Sequence, residues 1–82
     1  MISDGKLIEL SSLYEEYMFA PDPFTPRVKQ AYAIFLAECE RLYNHESVEF
    51  RRKMRLSDYI ATVVVVEINR YLDAPQTRYP AI

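Results

Sequence analysis

The strongest structural signal in this chain is a helical repeat of apolar residues between positions 28 and 43. Apolar side chains recur there at every third or fourth position: Val28, Ala31, Tyr32, Phe35, Leu36, Cys39, Leu42 and Tyr43. At about 100° per residue they share one side of a helix, while the charged residues of the same segment share the other side. The pattern predicts an amphipathic helix over residues 26–45 with one buried face.

Prolines define where that helix begins. Pro21, Pro23 and Pro26 remove backbone donors and push the residues before them out of the helical region, so residues 20–26 are expected to form a stiff connector. Thr25 can cap the helix that follows, and Pro26 at its first position loses an amide that would have no partner there. Before the connector, apolar residues at helical spacing predict a first helix over about 5–19.

The segment that follows residue 45 has two interpretations. Residues 44–47 contain neither Pro nor Gly, so the second helix can continue to residue 54, with Phe50 and Met54 on its apolar side. Alternatively, apolar residues alternate over 48–56, which is typical of a strand. That strand would pair with residues 60–68 as a hairpin and make the fold α+β instead of all-α.

The valine run 63–66 favours a strand by propensity, but its flanks favour a helix. Ser57 and Asp58 are typical of a helix start, apolar spacing stays helical beyond the run, and Pro75 enforces a stop. We therefore predict a third helix over 58–73 and an all-α fold, a small bundle of three main helices. The chain is expected to be a single domain, residues 1–82, in which 74–82 form a loose or docking tail.

The third helix carries more apolar surface than one core face explains. Beside its main apolar side lies a second stripe, Tyr59, Val63 and Val66, at spacings of four and three residues. A chain of 82 residues buries a modest share of its surface, so another copy can supply missing burial. We interpret Tyr59, Val63, Val66 and Tyr71 as a partner interface, and expect a homodimer or a contact with another protein.

A cluster of cations supports a different hypothesis. Arg51, Arg52, Lys53 and Arg55 can bind phosphates, which would make the chain a small DNA-associated regulator. The formal net charge of −2 does not favour nucleic acid, however, and the same cations can pair with Glu46 and Glu49 on a solvated helix face. We retain DNA binding only as the alternative.

The chemistry-bearing residues do not form a catalytic pattern. Cys39 lies on an apolar helix side, and His45, the one histidine, projects elsewhere, so the two do not make a metal pair. With one Gly, the chain has no phosphate-binding loop. We predict a non-enzymatic protein-interaction module that self-associates through the third helix. We expect no cofactor, no metal, no membrane span and a cytoplasmic location.

Overall fold

The computed structural model describes residues 2–73, and every regular element in that range is helical. Two long helices, α1 and α2, are followed by a short α3 and by three helical segments in direct succession, here called the C-terminal helix. Their bounds are α1 Asp4–Met18, α2 Pro26–Asn44, α3 Val48–Lys53, α4 Leu56–Tyr59, a π-helical segment Ile60–Val64 and α5 Val65–Asp73. The all-α prediction is confirmed. The predicted tail, 74–82, lies outside the described residues.

Side-chain caps mark the starts of the first three helices. The Ser3 hydroxyl accepts from the Lys6 amide at 3.3 Å, and the Thr25 hydroxyl accepts from the Val28 amide at 3.3 Å. At α3, the Ser47 hydroxyl accepts from the Phe50 amide at 3.1 Å. Each hydroxyl satisfies an amide that has no partner inside its own helix, which fixes the residue where the helix begins. The Thr25–Pro26 start is therefore as predicted.

Two alternatives that the sequence left open for residues 46–68 are not adopted. The second helix ends at Asn44 and does not continue to residue 54, because Ser47 adopts an extended conformation and caps a new helix, α3. The hairpin of 48–56 with 60–68 is absent as well, since the regular structure of both segments is helical. Packing against α1 and α2 outweighs the strand propensity of the valines, which amounts to only about 1 kcal/mol.

The helices α1 and α2 run antiparallel. Lys6 Nζ lies 2.6 Å from Glu38 Oε2 towards one end of the pair, and Arg27 bonds to Glu16 towards the other. Between these ion pairs the Phe35 ring lies 6.0 Å from that of Tyr14 and 5.3 Å from that of Tyr17, measured between centroids. The C-terminal helix completes the core, which contains Leu10, Phe35, Cys39, Tyr59, Val64 and Ile68.

The π-helical segment sets the register of the C-terminal helix. A π turn contains one more residue than an α turn, so the side chains beyond it are rotated relative to a continuous α-helix. The buried residues of this helix are accordingly Tyr59, Val64 and Ile68, at spacings of five and then four. Within the segment, the Thr62 hydroxyl donates to the Asp58 carbonyl at 2.7 Å. The uniform helical spacing assumed from sequence therefore fails at this point.

Candidate interaction surfaces

The stripe predicted on the third helix is divided between core and surface. Tyr59 is 2 % exposed, with its ring centroid 5.4 Å from that of Tyr43 and 5.8 Å from that of Phe50. Its hydroxyl donates to Glu46 Oε2 at 3.4 Å, and desolvation by burial raises its pKa. Val66 remains exposed, while Val63 is half-buried against the core. The π turn is the reason, because it rotates Val66 away from the side of Tyr59.

Tyr71, the fourth residue of the predicted interface, is half-buried near the end of α5. The contact that the third helix can offer to a partner therefore centres on Val66, with Val63 and Tyr71 contributing part of their surfaces. Tyr59 belongs to the interior of the chain, where its ring holds α4 against α2 and α3. Its substitution would test folding and not association.

The basic residues lie at the junction of α3 and α4. Arg51, Arg52 and Lys53 occupy the last turn of α3, and Arg55 is the residue that precedes α4. Within residues 2–73, no carboxylate oxygen lies within 4.0 Å of their charged nitrogens, so the expected pairing with glutamates one turn earlier is not formed. Arg52, Lys53 and Arg55 are exposed. Together these three side chains form a positive surface.

Tyr43 fixes the position of this basic junction. Its hydroxyl lies 3.0 Å from the Arg51 carbonyl oxygen and 2.5 Å from the Met54 carbonyl oxygen, two backbone acceptors at the end of α3. Carbonyls at a helix end have no partner inside the helix, so the one hydroxyl hydrogen, which can donate to either oxygen, replaces a water there. The helical spacing of α2 places Tyr43 on the core face only. Its hydroxyl function depends on the fold, and no local pattern predicts it.

The most exposed apolar residues lie where α1 passes into α2, a region that sequence reasoning did not assign to binding. Phe19 is 69 % and Phe24 78 % exposed, and Met18 and Tyr32 are also exposed. These four residues are called the connector surface below. The Tyr32 ring packs on Tyr17, with centroids 5.1 Å apart, which ties this surface to the core. The position of Phe24 between two prolines was the only sequence feature that could have indicated this surface. Because the connector has no helical periodicity, the sequence does not show whether Phe24 is buried or exposed.

A cavity of about 420 Å³ opens at the same end of the helix pair. Its lining combines apolar and charged side chains from the end of α1, the connector and the start of α2: Glu16, Ala20, Pro21, Asp22, Thr25, Arg27 and Val28. The ion pair between Arg27 and Glu16 crosses from one helix to the other within this lining. The cavity is of a size that ligands or partner side chains occupy in proteins.

Cys39 lies in the core and is fully buried, and burial raises the pKa of its thiol to about 12. A thiol with such a pKa is protonated at neutral pH and is a poor nucleophile or metal ligand. His45 is exposed at the end of α2. Within residues 2–73, no group of three or more His, Cys, Asp or Glu side chains has an arrangement that would hold a metal ion.

No helix over the described part of the chain is long and apolar enough to cross a membrane. No protein-family model matches the sequence, and neither the curated proteins nor the solved structures gave a match.

Proposed function

We propose that this chain is a non-enzymatic protein-interaction module that self-associates as a dimer. The observation that carries the proposal is the exposure of large apolar side chains outside the core, above all Phe19 and Phe24, with Val66 on the C-terminal helix. Monomeric proteins rarely leave contiguous apolar patches of more than a few hundred Å² in water. A second copy would remove this surface from water and add burial that a short chain cannot provide alone.

The non-enzymatic part of the proposal is supported by the state of the most reactive side chain. A catalytic thiol is partly exposed and has a lowered pKa, whereas the Cys39 thiol is buried and its pKa is raised to about 12. A reduced cysteine of this kind persists in the cytoplasm, which is where we expect the protein to act.

Sedimentation equilibrium tests self-association directly. The wild type is expected to have the mass of two chains and to dissociate on dilution. The variant Val63→Glu with Val66→Glu reports whether the third helix is the contact, and far-UV circular dichroism checks that it is still helical. Val66→Glu alone is the milder variant, because Val66 is exposed whereas Val63 packs against the core. A wild type that stays monomeric at every concentration would refute the proposal.

A second candidate function is DNA association through the α3–α4 junction. The observation that favours it is the positive surface there, whose cations have no carboxylate within 4.0 Å among residues 2–73. Such cations release condensed counterions when they meet phosphates. A dimer would present two such surfaces.

Fluorescence anisotropy with a labelled duplex tests this candidate. Binding should weaken steeply with salt. The logarithm of the association constant should fall against the logarithm of the salt concentration with a slope of about −0.9 for each phosphate contacted. Replacing Arg52, Lys53 and Arg55 by Ser should abolish it, whereas replacing Lys29, Arg41 and Arg70, exposed cations on other elements, removes the same charge and should have a small effect. Equal losses from the two triple variants would mean that net charge alone drives binding.

A further inference from the structure

We infer that a second copy of this chain docks on the connector surface, with Phe24 of each chain entering the cavity at the α1–α2 junction of the other. This inference rests on the self-association proposed above and specifies where the two chains meet. It places the contact at the opposite end of α2 from the basic junction of α3 and α4.

The connector holds Phe24 as a pre-ordered anchor. Prolines at 21, 23 and 26 restrict the backbone around it, and the Phe24 amide donates to Asp22 Oδ1 at 3.0 Å. Phe24 is nevertheless 78 % exposed, the largest exposure among the large apolar residues of the described chain. A segment whose backbone is restricted in this way loses little backbone entropy when a partner covers it. Aromatic anchors of this type commonly supply most of the binding energy of an interface.

The cavity is the matching receptor. It lies beside the connector, and the walls formed by Ala20, Pro21 and Val28 are apolar. Phe24 is not among its lining residues, so the ring does not occupy the cavity of its own chain. A two-fold axis through the connector would exchange the two features, because each chain offers one ring and one cavity to the other.

The available area is sufficient for such a contact. At about 200 Å² for a fully exposed aromatic side chain, Phe19, Phe24 and Tyr32 together present on the order of 400 Å². Met18 and the cavity walls add to this, so two copies would bury roughly 1,000 Å², which is the lower bound for a specific interface. A smaller ligand would leave most of the connector surface in water.

Charge also favours a second copy at this site. The cavity lining carries both signs, with Glu16 and Asp22 as carboxylates and Arg27 as a cation. A two-fold contact can set the cations of one chain against the carboxylates of the other. The α3–α4 junction would instead bring three exposed cations against three if it met itself across a two-fold axis. Self-docking is therefore opposed there and permitted at the connector.

The test is sedimentation equilibrium on the wild type, Phe24→Ser and Val48→Ser. Val48 is the matched control, because it is an exposed apolar residue on α3, away from the connector. We expect Phe24→Ser to weaken dimerisation at least tenfold and Val48→Ser to leave it within twofold of the wild type. Equal dimerisation of all three proteins would overturn the inference. Circular dichroism checks that each variant is folded. Phe24 does not belong to the core cluster, so Phe24→Ser should not unfold the chain.

A second variant tests the receptor instead of the anchor. Ala20→Leu fills part of the cavity and is expected to weaken dimerisation as well, while undiminished dimerisation would contradict the insertion of Phe24. Failure of this inference is distinct from failure of the proposed function. A dimeric wild type that Val66→Glu dissociates and Phe24→Ser does not would place the contact on the C-terminal helix, whereas a monomeric wild type refutes both.

Discussion

Ile68 shows what a single side chain contributes to this small core. It is fully buried on the C-terminal helix and belongs to the core cluster that includes Leu10 and Phe35. Domains of this size are stable by only several kcal/mol, so one methyl group in the core is a measurable fraction of the total.

We expect Ile68→Val to lower the free energy of unfolding by about 0.5–1.5 kcal/mol, through lost transfer energy and the small cavity left behind. Urea denaturation followed by circular dichroism measures the change. Ile8→Val is the matched control, because Ile8 is 52 % exposed on α1 and its shortening should stay within about 0.5 kcal/mol. Equal effects at the two positions would contradict the assignment of the core.

At the scale of the element, the π-helical segment explains which residues face inward. Tyr59 and Val64 are both buried although they are five residues apart, a spacing that a regular α-helix does not place on one side. Tyr59, Val63 and Val66 align only on a helix of uniform spacing. Nothing local in the valine run indicates the extra residue. We attribute the wider turn to packing on two helices, since α4 lies against α2 and α5 lies against α1.

Deletion of Ala61 tests this explanation. Ala61 is exposed within the π segment, and its removal would place Tyr59, Val64 and Ile68 at regular spacings of four residues. We expect the deletion to convert the segment to α-helix and to lower the free energy of unfolding by no more than about 1 kcal/mol.

Deletion of Ala37 is the matched control, since it also removes an exposed alanine from a helix. In α2 the deletion shifts Phe35 relative to Cys39 on a helix that is already regular, so it should unfold the protein. Urea denaturation and circular dichroism compare the two. If both deletions unfold the protein to the same extent, the explanation of the π segment as an α-helix with one extra residue is wrong.

Chemical signals within a few residues made some elements predictable. Thr25 followed by Pro26 indicates a cap and a first helical position, and α2 begins there. The end of α2 was not predictable in the same way, because Ser47 fits both a cap and the beginning of a strand. What settles it is Tyr43, whose hydroxyl reaches backbone carbonyls at the end of α3 from another helix. Such contacts exist only once the chain has folded.

At the scale of the whole molecule, the desolvated phenols of Tyr17 and Tyr59 and the buried thiol of Cys39 make the stability fall at alkaline pH. Desolvation by burial raises the pKa of Tyr17 and of Cys39 to about 12, and it also raises the pKa of Tyr59. These groups ionise at lower pH when the chain is unfolded. Their contribution to stability is complete below the unfolded pKa values and is lost as the pH rises through the folded ones.

We therefore expect the urea midpoint to be level between pH 7 and pH 9 and to fall steeply towards pH 11. Tyr17→Phe removes one of the groups responsible and should make the alkaline fall shallower than in the wild type. An identical alkaline fall in Tyr17→Phe and the wild type would contradict the role assigned to the half-buried Tyr17 phenol.

The bond between Lys6 and Glu38 makes stability fall at acid pH instead of alkaline pH. The hydrogen bond from Lys6 holds the pKa of Glu38 below its usual value, so the stabilisation that it supplies is present above the unfolded pKa. It is lost as the pH falls through the lowered folded value. Both ends of the pH range thus report on contacts between helices of the bundle.

The central claim is that this small helical chain completes its burial by binding a second copy. Sedimentation equilibrium of the wild type over a wide range of concentrations tests it most directly. We predict a reversible equilibrium between a single chain of 9.7 kDa and a species of twice that mass. A mass of 9.7 kDa at every concentration, for a chain that circular dichroism finds folded and helical, would contradict the claim.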